Sequence, residues 1–196
     1  MSKTLIGCGL AVVGIVVILA LVVGGIYNNL VGLQEGVQAA WGQVENVYQR
    51  RADLIPNLVA TVRGAADFEQ ETLQNVVEAR AKVGQMNIEG SPTPEQLQAF
   101  QANQDALSSA LSRLLVVVER YPELQAVQAF RDLQVQLEGT ENRIAVERNR
   151  YNEAARAYNT ARRQFPAVLI ANLFGFGEKG YFESKPGTEE PQKVEF

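Results

Sequence analysis

LIGCGLAVVGIVVILALVVGGI, residues 5–26, is the stretch that decides how this chain is read. It holds no charged residue, and none stands anywhere between Lys3 and Glu35. At ~1.5 Å of rise per residue, a helix of that length crosses a hydrocarbon layer ~30 Å thick. The chain is therefore expected to be tied to a membrane by one N-terminal helix.

Working outward, the stretch divides the rest of the chain. Residues 1–4 form a short N-terminus. Residues 27–164 read as polar-faced helices, residues 165–182 as an apolar segment, and residues 183–196 as a charged, Pro-containing flexible tail. No strand pattern appears. The expected fold class is all-α, with the membrane helix continuing into an antiparallel up-down four-helix bundle; a long kinked hairpin is the alternative.

Leu5-Ile6-Gly7-Cys8 resembles a lipoprotein box, but such a box follows its apolar stretch, and here the stretch follows Cys8. No small-residue cleavage site follows Ile26. A retained anchor is expected over a processed signal. Lys3 is the only basic residue before the span, and Arg50 and Arg51 are the first after it. The positive-inside count then places the bundle outside the cytoplasm. Gly7 and Ala11 are four apart, as are Ala20 and Gly24, a spacing that lets anchors pack closely in lipid.

Leu30, Leu33, Val37, Trp41, Val44, Val47, Leu54, Leu58 and Val62 recur at helical steps and predict a first helix carrying an apolar stripe. Pro56 lacks the N–H that would pair with the Ala52 carbonyl, so a kink or break is expected there. Gly64 to Asp67 is a second weak point, with Asp67 a candidate N-cap. A second helix carries Phe68, Leu73, Val76, Val77, Val83 and Met86. After Glu89 to Pro92, Thr93 is expected to cap a third helix, with Pro94 at its first position and Gln96 closing a capping box. Tyr121-Pro122 ends or kinks that helix. A fourth is expected from Glu123 to about Gln164, with Leu124, Val127, Phe130, Leu133, Leu137, Ile144, Tyr151, Ala155 and Tyr158 on one face.

The composition excludes much chemistry. The net charge is −4 with no basic block, so nucleic acid is not an expected partner. There is no histidine and one cysteine, which removes the commonest base, metal ligand and thiolate pair. Gly175 to Gly180 matches G-x-G-x-x-G, but without the strand before it and helix after it that a dinucleotide needs. Glu138, Glu141 and Glu147 read as a solvated or ion-paired face, not a di-metal site. No catalytic, cofactor or metal residue is expected.

The unusual stretch is Thr140 to Arg148, followed by Tyr151-Asn152 and Tyr158-Asn159. These two pairs are seven apart and share one helix face. Glu141, Arg148 and Arg162 fall in register with the apolar stripe. The face is either a docking surface or internal; the internal reading is preferred, with buried tyrosine rings and with asparagines and arginines satisfying neighbouring helix ends. Ala167 to Phe176 is too short to span a bilayer. It lies in the membrane interface, packs on a neighbouring anchor, or caps the bundle, with Leu169 and Phe174 as its candidate contacts.

Arg51 to Val59 (RADLIPNLV, with Pro56 and Asn57), Gly139 to Ile144 (GTENRI, with Asn142 and Arg143), the two Tyr-Asn pairs, Phe165-Pro166, Gly175-Phe176 and Tyr181-Phe182 together resemble the LemA family. The resemblance implies a bacterial single-pass protein of the cell membrane, an antiparallel helical bundle and no established catalytic activity. A relative in magnetosome-forming bacteria implies a role in membrane organisation. Family usage places the bundle in the cytoplasm, against the Lys3 count. Ala65 to Glu69 lacks the histidine that many members carry before the glutamate. The function expected is a scaffold that self-associates and organises the membrane or a complex on it, with lipid and its own copies as partners. A monomeric adaptor recruiting another protein is the alternative.

Overall fold

The structure is a computed structural model that describes residues 2–64, 69–86, 88 and 90–183, with side chains described from residue 13 onward and at Leu10. Among these residues there are helices and no strand. They are α1 (Ser2–Arg63), α2 (Gln70–Gly84), α3 (Pro94–Val118), α4 (Pro122–Ala126), α5 (Gln128–Arg163) and α6 (Ala167–Leu173).

No loop signal separates Ile26 from Leu30, and α1 runs unbroken through both. It is the one described helix long and apolar enough to cross a membrane, and the window that qualifies it is almost wholly unburied. Leu10, Val13, Ile15 to Leu19, and Leu21 to Val23 all face outward. Leu30 is the first fully buried residue among the described side chains of α1.

Pro56 does not break α1. The carbonyl it leaves without a helical donor, that of Ala52, accepts instead from Arg80 Nε of α2 at 2.9 Å. Pro56 itself is exposed, while Ile55, Leu58 and Val59 are buried around it. Packing and a borrowed donor thus offset the usual penalty of an interior proline.

The neighbours fix the helix directions. Trp41 meets Tyr151 and Arg51 reaches Glu141, so α5 runs antiparallel to α1. α2 begins at Gln70, soon after α1 ends at Arg63, and Arg80 lies on Ala52 about equally far back from that connection, so α2 is antiparallel to α1. Glu69 with Arg120, and Met86 with Asn103, make α3 antiparallel to α2. The α3 start is built as its sequence demands: Thr93 Oγ1 accepts from Gln96 N, Gln96 Oε1 accepts from Thr93 N, and Pro94 follows the cap. The expected cap Asp67 lies outside the described residues.

The fourth segment differs from expectation. It is not one helix from Glu123, because the chain turns extended at Val127 (ψ 118°), which divides α4 from α5. Val127 is exposed, not on the buried stripe. Its carbonyl instead accepts from Phe130 N and Arg131 N and starts α5. The offset lets Leu124 and Phe130 both bury. Val77 of α2 likewise faces out.

Two apolar cores result. The one nearer the apolar end of α1 is aromatic: Trp41, Tyr48, Phe100, Tyr151, Tyr158, Phe176 and Phe182. The distal one is aliphatic, joining Ile55 to Val62 with Leu107 to Val118 and Phe130 to Leu137. A polar layer around Arg51 lies between them.

Candidate functional site

Arg51 falls on the buried stripe of α1, in step with Val44, Tyr48 and Ile55, and is only 2% exposed. A guanidinium so placed needs several acceptors. Its Nη1 donates to Ser108 Oγ (2.9 Å) and Glu141 Oε2 (3.1 Å), and its Nη2 to the Gln104 carbonyl (3.4 Å) and to Gln104 Oε1. The group also lies 5.0 Å from the Tyr48 ring centre. The first two signature stretches therefore meet through one ion pair between α1 and α5, and the same guanidinium hydrogen-bonds to α3. Arg51 does not stand out from the apolar stripe, because Val47 and Leu54 carry the stripe past it although both are only partly buried. The signal was a lone cation at stripe spacing. Asn57, Asn142 and Arg143 face solvent.

The second arrangement belongs to the Tyr-Asn face. After α6 the chain turns at Gly175 (φ +73°) and runs back along α5 in extended form. An extended segment without a sheet has backbone groups that must find partners. Asn159 brackets Lys179: Nδ2 donates to Lys179 O (2.8 Å) and Oδ1 accepts from Lys179 N (3.0 Å). Asn152 brackets Phe182 in the same way, at 3.0 and 2.9 Å. The spacing follows from geometry: seven helical residues rise ~10.5 Å, and three extended residues cover ~10 Å. Tyr158 Oη donates to Gly177 O (2.9 Å), Arg162 Nε to Phe176 O (2.6 Å) and Arg148 Nη2 to Glu183 O (2.8 Å). Asparagines and arginines thus hold an extended return segment, not the neighbouring helix ends that the sequence reading expected.

The tyrosine rings are fully buried. Burial pushes the Tyr48, Tyr151 and Tyr158 hydroxyls above their ordinary range. Phe182 anchors the segment among Trp41, Phe100 and Tyr151, with ring centres 5.4–6.5 Å away. Gly180 fits because a Cβ there would lie 2.8 Å from Pro94 Cα. The G-x-G-x-x-G match is therefore part of this strap, and among the described residues no strand precedes it and no helix follows it. Lys179 lies over the Tyr158 ring, and burial lowers its ammonium below the usual value.

The third feature is α6. Ile170 and Ala171 pack inward, while Phe165, Leu169, Leu173 and Phe174 are 81%, 61%, 79% and 52% exposed. Tyr27, at the end of the apolar run, meets Phe174 and Phe176 at 5.1 and 5.5 Å. Ala20 is exposed and Gly24 half-buried, and nothing lies within 4 Å of where a Gly24 Cβ would be. Of Gly7 and Ala11, only the helical backbone is described. Residues 184–196 of the expected tail lie outside the described residues. Among the described residues no three His, Cys, Asp or Glu come together as metal ligands would. These arrangements position and pack; none sets a nucleophile beside a base.

Comparison with known proteins agrees with the signature residues. The LemA family profile matches residues 40–196. Magnetosome protein MamQ 2 of Paramagnetospirillum magneticum is 29% identical, with 84% of this chain and 67% of the relative covered. Magnetosome protein MamQ of Magnetospirillum gryphiswaldense is 27% identical over the same shares. Protein LemA of Metamycoplasma hominis is 23% identical, with 68% of this chain and 58% of the relative covered. With four-fifths of its length matched, the chain belongs to the LemA family.

Proposed function

We propose that the chain is a membrane-anchored scaffold of the bacterial inner membrane. Residues 5–26 cross the bilayer, residues 27–164 form an antiparallel four-helix bundle, and copies associate to organise the membrane or a complex on it. The observation that carries this is the continuity of α1, whose outward apolar end passes without a hinge into the packed body. A neighbour contacting one anchor thereby constrains the orientation of the whole body. The open face at Ala20 and Gly24 supports association through the span. The likeness to proteins named for the magnetosome supports a place at a membrane.

The test is the mass of the full-length protein in mild detergent, by light scattering corrected for bound detergent. A defined oligomer is expected, reduced by Gly24→Leu with the body's melting unchanged. A monomer at all concentrations would refute self-association and favour the adaptor.

A further inference from the structure

We propose that α6 and the arginine pair before it form a second membrane contact, one that binds anionic phospholipid headgroups; the inference rests on α1 being inserted in a bilayer. The level of this contact follows from the pairing of α1 with α5. Trp41 faces Tyr151 and Arg51 faces Glu141, so the same register sets Arg162 level with Leu30. Leu30 is four residues, or ~6 Å, beyond the end of the apolar run at Ile26. Arg162 and Arg163 therefore stand at headgroup depth.

Below them is α6. Leu169 and Leu173, four apart, form its outer face, with Phe165 and Phe174 exposed at its two ends. This surface is continuous with the anchor, because the Tyr27 ring packs on Phe174 and Phe176. Large apolar side chains held beside a membrane helix lower their free energy by entering the lipid boundary.

The charge is one-sided. Between Glu153 and Glu178 the chain has three arginines, Arg156, Arg162 and Arg163, and no acid, and α1 has no acid before Glu35. Arg162 and Arg163 use their Nε–H groups on the carbonyls of Phe176 and Asn159. Their outer guanidinium nitrogens make no bond to a protein acid among the described ion pairs. A fork-shaped cation at that depth matches a phosphodiester.

The experiment uses the full-length chain carrying Cys8→Ala and Leu173→Cys, the new thiol labelled with a polarity-sensitive fluorophore. It is reconstituted in vesicles of phosphatidylcholine alone, or mixed with phosphatidylglycerol, each with a lipid quencher labelled near the headgroup. Quenching should be strong and should increase with phosphatidylglycerol. Arg163→Glu should reduce that increase by about fivefold per unit of charge removed, and Leu169→Asp should abolish quenching, both without changing the body's melting. A probe in water in both lipids, on protein that floats with the vesicles, would overturn this inference alone. So would quenching that follows the protein-to-lipid ratio and not lipid charge, since a second copy would then cover α6. Protein that fails to float with the vesicles would overturn the anchor and this inference with it.

Discussion

Asn159 offers a direct test of the strap. Its side chain is fully buried and makes three hydrogen bonds: two to Lys179 and one, from Nδ2, to Tyr181 Oη at 3.0 Å. Each such bond contributes on the order of 1 kcal/mol net, and Lys179 is only half-buried, so water replaces part of what is lost. Asn159→Ala should therefore destabilise the strap by about 2–3 kcal/mol. The loss should appear first as local opening, because the segment depends on Asn152, Tyr158 and Arg162 for its remaining bonds. Hydrogen exchange at the Lys179 amide should accelerate about 30-fold or more, with the distal core around Leu114 and Ile55 protected as before. Asn159→Asp discriminates further. It keeps the shape and the acceptor for Lys179 N–H, but turns an oxygen toward the Lys179 carbonyl, and should be at least as damaging as alanine. An aspartate within about 0.5 kcal/mol of the parent would show that the Nδ2 donor contributes nothing, and the reasoning fails.

Gly180→Ala should cost about 1–3 kcal/mol and loosen Tyr181 and Phe182, because its Cβ would lie 2.8 Å from Pro94 Cα and 3.2 Å from Leu97 Cδ2; Gly177→Ala, with open space around it, is the neutral control in the same melting assay. Pro56→Ala and Arg80→Met should be coupled: alanine restores a helical donor to the Ala52 carbonyl, so the Arg80 loss should shrink by about 1 kcal/mol in that background, and simple additivity would refute the borrowed-donor account. Above pH 10 the body should lose stability. Tyr48, Tyr151 and Tyr158 keep their protons in the folded state beyond the pH at which the unfolded chain releases them, so each adds a downward slope of at most about 1.4 kcal/mol per pH unit, read by denaturant titration and diminished in Tyr151→Phe.

Features fixed by local chemistry were legible in the sequence. The Thr93–Gln96 box with Pro94 is a complete signal within four residues, and α3 buries Leu97, Phe100, Leu107, Leu111, Leu114 and Val118, which recur at helical steps, with Leu115 partly buried beside them. The seven-residue spacing of the Tyr-Asn pairs was visible too, but their partner was not. An extended segment without alternation or β-branched residues gives no strand signal, and its pairing with a helix face is a long-range event. Val127 carries no Gly, Pro or cap to mark the break it makes. Arg51 was hidden by its type, since charge is read as surface unless the acceptors at Gln104, Ser108 and Glu141, 53 to 90 residues away, are known.

This bears on how substitutions at the signature positions should be read. Asn152 and Asn159 imitate a neighbouring strand: each presents one donor and one acceptor to a single residue of the return segment, as a backbone would. Glutamine would extend the amide by a methylene and miss the register that heptad spacing sets, aspartate would supply the acceptor without the donor, and the single short oxygen of serine would not reach both backbone groups at once. The residue type is thus fixed by hydrogen-bond geometry with no reaction involved. The strap so held carries Phe176 against Tyr27, and Phe174 lies against the same ring, while Phe182 reaches the aromatic core beside Trp41. It therefore joins the foot of α1 to the packed body by a route separate from α1 itself. Releasing it would leave α6 with only its own packing at Ile170 and Ala171, so a loss of membrane arrangement in an Asn159 variant would follow from a freed α6 without any contact between Asn159 and lipid.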